Sequence, residues 1–266
     1  ARVFQQDYSG GRVFAPGSAG FWLNLYTDTH QIGGGFDQGI TNQLLPVATY
    51  QILSGDGAGN READIAIAWL KALGVDAIGV TGPGSTEAYL PFRNPDKFEG
   101  VLEKTWSAPG AAVYAIPRRH SSLAWVIRPQ DAATRTPNGG LDVEPLSPYL
   151  RAMDDPALPV ATSNWVSRSE LQIQTDLHPG LLVSLQIAWH PGWRAYVGDL
   201  PVPLVKDELN QIRLAPGCDG PCKIIVRFEP NTEQAIAKGL QLTALVVPIM
   251  LVFPGKTRSY KDRTRL

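Results

Sequence analysis

The stretch LQIQTDLHPGLLVSLQI, residues 171–187, decides the fold class of the second half of the chain. Its side chains alternate in character at every second position: Leu171, Ile173 and Thr175 against Gln172 and Gln174, then Leu181, Val183, Leu185 and Ile187 against Ser184 and Gln186. A third run with the same period covers residues 223–229. Period-two patterning is typical of half-buried antiparallel strands. With short strands expected near 196, 203–205 and 212–214, residues 160–232 are predicted to form a small β-sandwich or jelly roll.

The first half of the chain has a different pattern. Residues 61–73 repeat apolar side chains at three- and four-residue spacing, and Gly74 provides a C-terminal cap, which predicts an amphipathic helix. A buried strand is expected at 75–80, and shorter strands at 101–106, 112–116 and 123–127. Residues 1–128 are therefore predicted to form a mixed α/β subdomain, and the Pro- and Gly-rich residues 129–159 an irregular connection. The fold class expected for the whole is α+β.

Residues 235–253, AIAKGLQLTALVVPIMLVF, contain Lys238 as their only charge and approach the ~20 residues that cross a bilayer. The tail that follows, residues 254–266, carries five cations and one carboxylate and so has a net charge of +4, which leaves −5 for the rest of a chain whose total is −1. A cationic tail after an apolar segment indicates a transmembrane helix with a cytoplasmic C-terminus. The body would then lie on the extracytoplasmic side. The alternative is a buried segment of a soluble core.

Charge and cysteine content narrow the function. Lys and Arg total 24 against 25 Asp and Glu, which argues against a nucleic-acid partner. Cys218 and Cys222 flank a turn-forming Asp-Gly-Pro sequence, and a disulfide that clips a hairpin suits this spacing and an oxidising compartment. A pair of free thiols is the alternative. A zinc site is not expected, because no matching Cys/His pair occurs elsewhere.

The opening Ala-Arg-Val-Phe, without an initiator Met, indicates a piece of a longer protein.

Residues 22–37, WLNLYTDTHQIGGGFD, form the richest polar cluster of the first half. Aromatic rings can stack on the apolar face of a pyranose, and carboxylate or imidazole groups can bind its hydroxyls. The pattern makes Trp22, Tyr26, Asp28, His30 and Asp37 candidate sugar-binding residues, with glycines that allow close approach of the backbone. The alternative is a tight surface loop with a packed Trp and Phe.

Two further segments carry polar or aromatic groups. Trp193 belongs to an aromatic cluster at the Pro191-Gly192 turn and is a candidate glycan platform, although an anchor in the core is the alternative for this cluster and is favoured for Trp189. The run Arg118-Arg119-His120 offers cations for the phosphate of a lipid-linked donor. A solvated turn is the simpler interpretation of that run.

Several short segments together resemble the C-terminal extracytoplasmic region of YfhO-like bacterial membrane proteins. In that family a strand ends in an aromatic-Pro-Gly-Trp turn, continues through a Gly-containing hairpin, and closes with a strand that ends in Pro shortly before the final membrane helix. The segments that carry the resemblance are AWHPGWRAYVGDLPV (188–202), NQIRLAPG (210–217), IIVRFEP (224–230), AVYAIP (112–117), AWV (124–126) and WLKALGV (69–75).

The resemblance implies a polytopic membrane glycosyltransferase of the GT-C type. Such an enzyme uses a polyprenyl-phosphate-linked sugar as donor, acts on a cell-envelope glycan acceptor, and needs no cofactor from this region. Its catalytic carboxylate is expected in the first extracytoplasmic loop, so no residue of this chain inherits the catalytic role. The rival hypothesis is a non-catalytic carbohydrate-binding or envelope-scaffolding module on a membrane anchor. A soluble hydrolase is disfavoured, because the chain has no nucleophile or metal motif.

Overall fold

The computed structural model describes residues 1–33, 39–229, 236, 237, 240 and 241. Residues Ala1–Arg227 form one compact unit, and Phe228–Leu266 are a second unit of which only a few residues are described. The helices of the first unit are α1 (Arg2–Asp7), α2 (Ser18–Tyr26), α3 (Leu44–Ser54), α4 (Glu62–Ala72) and α5 (Ser147–Asp154). Its strands are β1 (Arg12–Phe14), β2 (His30–Gln31), β3 (Ala77–Thr81), β4 (Lys104–Ala108), β5 (Ala111–Ala115), β6 (Ala124–Ile127), β7 (Thr162–Ser167), β8 (Glu170–Leu177), β9 (Leu182–Ala188), β10 (Trp193–Val197), β11 (Leu200–Val202), β12 (Leu204–Lys206), β13 (Gln211–Leu214) and β14 (Gly220–Phe228). The α+β fold class is confirmed.

The N-terminal sheet has the strand order β2-β1-β3-β5-β4. Strands β2, β1 and β3 are parallel, whereas β5 and β4 continue the sheet antiparallel. Helices α1 and α2 pack on one face, where Phe4 and Leu23 contact Val13, and helices α3 and α4 pack on the other. The predicted helix–Gly–strand unit is present as α4, Gly74 with a φ of +75° and β3.

The second half contains two antiparallel sheets that face each other across one core. The front sheet has the order β12-β13-β9-β6 and the back sheet the order β11-β10-β14-β8-β7. Leu185 of β9 and Ile173 of β8 belong to the same buried cluster, as period-two patterning predicts. Because burial of each such side chain stabilises the fold by about 1.5–3 kcal/mol, this shared core accounts for the pairing of the two sheets.

The front sheet differs from a half-buried sheet in one respect. Its outer face lies against α4 and α5, so Ser184 and Gln186, the polar members of the alternating pattern, are also buried. Strand β6, which sequence patterning groups with the first half, pairs with β9 in this sheet. The segment 129–159 likewise contains more order than an irregular connection, because it includes α5, whose Tyr149 and Met153 are buried against Trp125 and its neighbours.

The C-terminal predictions fall largely outside the described residues. Of the predicted transmembrane segment 235–253, only residues 236, 237, 240 and 241 are described, and they are helical. Within the described part of the chain, no helix is both long and apolar enough to cross a bilayer. The tail 254–266 lies outside the described residues. Cys218 and Cys222, by contrast, are described, and a disulfide joins them at the start of β14 with a Cα–Cα distance of 5.9 Å.

Candidate functional site

Three aromatic rings from distant parts of the chain lie in a row, which we call the ring row: His30, Trp165 and Trp193. The His30 and Trp165 ring centroids are 6.2 Å apart with the planes tilted by 45°, and the Trp165 and Trp193 centroids are 6.4 Å apart with a tilt of 48°. Both separations are within the range of favourable tilted ring contacts. The ring row therefore connects an edge strand of the N-terminal sheet to the back sheet.

Hydrogen bonds between α2 and β2 position His30. The Asn24 side-chain amide donates to the Thr29 carbonyl oxygen at 2.8 Å, and the Gln31 amide donates to Asn24 Oδ1 at 2.7 Å and to the Gly20 carbonyl at 2.9 Å. These bonds tie the residues on both sides of His30 to one helix. The imidazole is thus held on a short strand at the sheet edge, while its ring stays accessible to solvent.

The two tryptophans are held by a bulge and a tight turn. Trp165 lies on β7, an edge strand whose register against β8 shifts between residues 165 and 167. Such bulges redirect side chains at sheet edges and next to binding sites. Trp193 follows the Pro191-Gly192 turn, in which the Trp193 N–H donates to the His190 carbonyl at 3.1 Å and the Gly192 N–H donates to His190 Nδ1 at 3.0 Å. Both indoles are partly buried against the sandwich core, which restricts their orientation.

The electrostatic surroundings keep His30 neutral. Partial burial lowers the pKa of His30, and the charge of Arg12, which lies opposite His30 in the β1–β2 register, lowers it further. The Asp28 carboxylate opposes this by raising the His30 pKa. At neutral pH the imidazole therefore offers one N–H donor and one acceptor nitrogen beside the Trp165 ring.

The structure separates the remaining predicted sugar-binding residues from the ring row in different ways. Trp22 and Tyr26 lie on the outer side of α2 and are 57% and 71% exposed, so they form an aromatic surface of their own. Asp28 is exposed on the connection between α2 and β2, two residues before His30. Asp37 lies outside the described residues. The structure thus brings His30 and Trp193 together only through Trp165.

The run Arg118-Arg119-His120 belongs to a buried polar junction between the N-terminal sheet and the front sheet, and this junction is closed to ligands. Arg118 and Asp76 form an ion pair at 2.6 Å with side chains only 2% and 8% exposed. The other Arg118 nitrogen donates to Gln186 Oε1 at 2.9 Å and to the Ser122 carbonyl at 2.7 Å. Arg118 therefore does not lie in a solvated turn. It is also not available to bind phosphate, because groups of the protein already pair with its guanidinium.

The buried polar junction also completes the end of α4. Carbonyl groups in the last turn of a helix have no partner within the helix. Gln186 Nε2 donates to the Lys71 carbonyl at 2.7 Å, Arg12 Nη1 to the Leu73 carbonyl at 2.9 Å and Arg118 Nη1 to the Gly74 carbonyl at 3.0 Å. Cationic donors at this end of the helix also complement its dipole. The junction is therefore structural.

His120 lies flat against Trp125 at the edge of the buried polar junction, with ring centroids 3.8 Å apart and planes within 20°. Both of its ring nitrogens are buried without a hydrogen-bond partner. Burial, with smaller effects from Arg119 and Arg118, lowers the pKa of His120 to about 4. The ring is consequently neutral in the folded protein at physiological pH.

The ring row is better suited to binding a ligand than to catalysing a reaction. Across the part of the chain that the structure describes, no group of three or more His, Cys, Asp or Glu is placed to hold a metal ion. The ring row presents apolar ring surfaces with a neutral imidazole and the nearby Asp28 carboxylate as polar partners. This combination matches a ligand with apolar faces and a rim of hydroxyl groups.

Trp165 is the residue that sequence reasoning missed. Its strand follows the Pro-rich connection and has mixed exposure, so neither its period nor a motif distinguishes it. The only signal was its tryptophan side chain on a short strand that begins the sandwich, which does not reveal a contact with residue 30.

No family model, curated protein or solved structure matches this chain.

Proposed function

We propose that this chain is the extracytoplasmic region of a YfhO-like membrane glycosyltransferase of the GT-C type, and that its body binds envelope glycan at the ring row. In this proposal residues 235–253 cross the bacterial cell membrane, residues 254–266 lie in the cytoplasm, and the donor is a polyprenyl-phosphate-linked sugar. The catalytic carboxylate lies outside the chain. The resemblance of residues 188–230 and the charge of the tail support the assignment to a membrane transferase.

The observation that carries the glycan-binding part is the meeting of His30, Trp165 and Trp193 in one row. Rings spaced at about 6 Å can contact successive faces of an oligosaccharide, and ring stacking tolerates different sugars. The polar partners in this proposal are the His30 imidazole and the Asp28 carboxylate, and both residues are exposed. A linear glycan laid across the row would thus keep its hydroxyl groups in contact with water or with these side chains.

A titration of the chain with soluble oligosaccharides of glucose, N-acetylglucosamine and rhamnose, followed by tryptophan fluorescence, tests the glycan-binding part. We expect Trp165→Ala to weaken binding by about tenfold or more, because tenfold corresponds to about 1.4 kcal/mol and one buried aromatic contact is worth at least that much. His30→Ala should weaken binding several-fold without loss of folding. Trp106→Ala is the matched control, since Trp106 is a partly exposed tryptophan on β4, at the opposite edge of the N-terminal sheet from β2.

Trp22→Ala decides between the two aromatic surfaces. Loss of oligosaccharide binding in Trp22→Ala but not in Trp165→Ala would move the site to the outer side of α2 and remove the ring row from the proposal. No binding of any of these oligosaccharides by the unaltered chain would reject a glycan site altogether.

The alternative function is a non-catalytic carbohydrate-binding or scaffolding module on a membrane anchor, and the same ring row favours it. A transfer assay with the full membrane protein and a polyprenyl-phosphate-linked sugar distinguishes the two. The transferase proposal expects sugar transfer that falls in Trp165→Ala. Glycan binding without transfer would leave the module as the function.

A further inference from the structure

A cavity of about 370 Å³ opens at the carboxyl ends of the parallel strands of the N-terminal sheet, and we call it the strand-end cavity. The connection that leaves β1 runs to β2 on one side, while the chain that leaves β3 runs to β4 and β5 on the other side. In open α/β sheets such a change of direction creates a crevice outside the strand ends, and ligands bind there. The strand-end cavity lies at this place, between α2 and α3.

The inner wall of the strand-end cavity is apolar and its mouth is aromatic. Phe14 and Ile32, at the ends of β1 and β2, form part of its inner wall together with Leu53 of α3. Phe21 of α2 and Tyr89 of the loop after β3 also line it, and both rings are about half or more exposed. Partly exposed rings in the lining of a cavity provide flat apolar surface for a ligand.

Polar groups are also present in the lining. Thr49 of α3 contributes a hydroxyl that donates to the Pro46 carbonyl at 3.0 Å, so its oxygen still has lone pairs that can accept a hydrogen bond. Gly17, with a φ of +78°, places backbone rather than a side chain at the wall. The Ser18 hydroxyl donates to Glu87 Oε1 at 2.5 Å and so ties the loop that carries Tyr89 to the start of α2. This hydrogen bond thus links the α2 side of the cavity to the loop side that carries Tyr89.

We propose that the strand-end cavity binds one pyranose ring, at a site separate from the ring row. Its volume is at the lower end of the ~300–1,000 Å³ typical of small-molecule sites, which suits a monosaccharide or the terminal residue of a chain. A pyranose has apolar faces that match Phe21 and Tyr89 and hydroxyl groups that match the Thr49 hydroxyl and the partly exposed backbone at Gly17. This site does not depend on the ring row, because none of the three ring-row residues lines it.

The experiment is a saturation-transfer NMR titration of the full chain with D-glucose, D-galactose, N-acetyl-D-glucosamine and L-rhamnose. Tyr89→Ala removes one ring at the mouth, and Thr49→Trp fills the cavity. We expect each variant to weaken binding of the preferred monosaccharide by about tenfold. Leu25→Ala is the matched control, since Leu25 is an exposed residue of α2 that does not line the cavity, and it should bind as the unaltered chain does.

The outcomes separate this proposal from the ring row. If Trp165→Ala abolishes monosaccharide binding while Tyr89→Ala and Thr49→Trp leave it unchanged, the sugar binds at the ring row and the strand-end site is rejected. No saturation transfer to any of the four sugars would also overturn it, whatever the oligosaccharide titration shows. A Thr49→Trp protein that does not fold leaves Tyr89→Ala, a surface substitution, to decide.

Discussion

The buried polar junction and the ring row both join the N-terminal sheet to the sandwich. The junction consists of buried charged and polar side chains, whereas the ring row consists of aromatic rings. At the junction, Arg118 and Asp76 are almost fully buried, and their described hydrogen bonds are to other groups of the protein. At the ring row, His30 is exposed and the contacts are between rings. A buried charge is tolerated only when partners satisfy it, whereas rings that are only partly buried keep some apolar surface for a ligand. We therefore expect substitutions at the junction to change stability and substitutions at the ring row to change binding.

Arg118→Met should have the largest effect on stability. It leaves the Asp76 carboxylate buried with the Arg12 backbone N–H as its main remaining partner, at 2.8 Å. Removal of one member of a buried ion pair destabilises a protein by about 3–5 kcal/mol. Urea denaturation measures the change, with Arg227→Ala as the control, because Arg227 forms a more exposed pair with Glu170 worth about 1 kcal/mol or less. Equal losses in the two variants would show that burial does not make the Arg118–Asp76 pair more important for stability than an exposed pair.

Gln186→Leu should rank second. The substitution removes the donor to the Lys71 and Ala72 carbonyls and the acceptor for Arg118. It also removes the Gln186 oxygen that accepts from the buried Trp125 indole N–H at 3.0 Å, the one described bond of that donor. We expect a loss of about 2–3 kcal/mol in the free energy of unfolding. Gln211→Leu is the matched comparison, because Gln211 donates only to the Ala72 carbonyl and should cost about 1 kcal/mol. A smaller loss for Gln186→Leu than for Gln211→Leu would show that the end of α4 does not depend on Gln186.

The pH dependence of stability tests the edge of the buried polar junction. The pKa of His120 is lowered to about 4 in the folded protein from an ordinary value of 6.5. Between these values the unfolded chain binds the proton and the folded chain does not, so stability is complete above about pH 6.5 and falls as the pH falls towards 4. Because the side chain is only partly buried, we expect this contribution to be below about 2 kcal/mol.

His120→Phe keeps a ring on Trp125 and removes the titration. Its unfolding free energy should depend less on pH between 6.5 and 4 than that of the unaltered chain, measured by denaturation at successive pH values. An unchanged slope would mean that other groups, such as the carboxylates, determine the acid sensitivity in this window.

His30→Ala should have the smallest effect on stability, below about 0.5 kcal/mol, since His30 is an exposed residue on an edge strand. The same variant should bind the oligosaccharides of the glycan titration several-fold more weakly. Denaturation and titration of one protein sample measure both effects. A stability loss above about 1 kcal/mol with unchanged binding would make the ring row a second structural contact.

Sequence patterning predicted the local elements of the sandwich well. The strands around Ile173, Leu185 and Val226 occur where period two places them, and α4 ends before Gly74 as its capping residue indicates. Sequence patterning did not predict α5. This short helix, with its buried Tyr149, lies within the Pro- and Gly-rich residues 129–159, whose composition predicts an irregular connection. The helix is amphipathic, but its eight residues are fewer than the roughly 11–18 over which helical periodicity is normally recognised.

The candidate site could be predicted only in part. His30 and Trp193 carry side chains that suit glycan binding, and each lies in a segment whose composition suggested a site. Their common neighbour Trp165 could not be found, because the contacts among the three rings join residues far apart in sequence. No periodic pattern encodes which loop of one sheet will face which edge of another.

The α+β class, the alternation of the sandwich strands and the cap of α4 follow from the amino-acid pattern, because these features depend on residues close together in the chain. Long-range packing covers the outer face of the front sheet, so that Gln186 caps a helix instead of contacting water. The same packing buries Arg118 and leaves His30 accessible to solvent. Burial depends on which elements pack together, and that packing minimises exposed apolar surface over the whole unit rather than within any one segment.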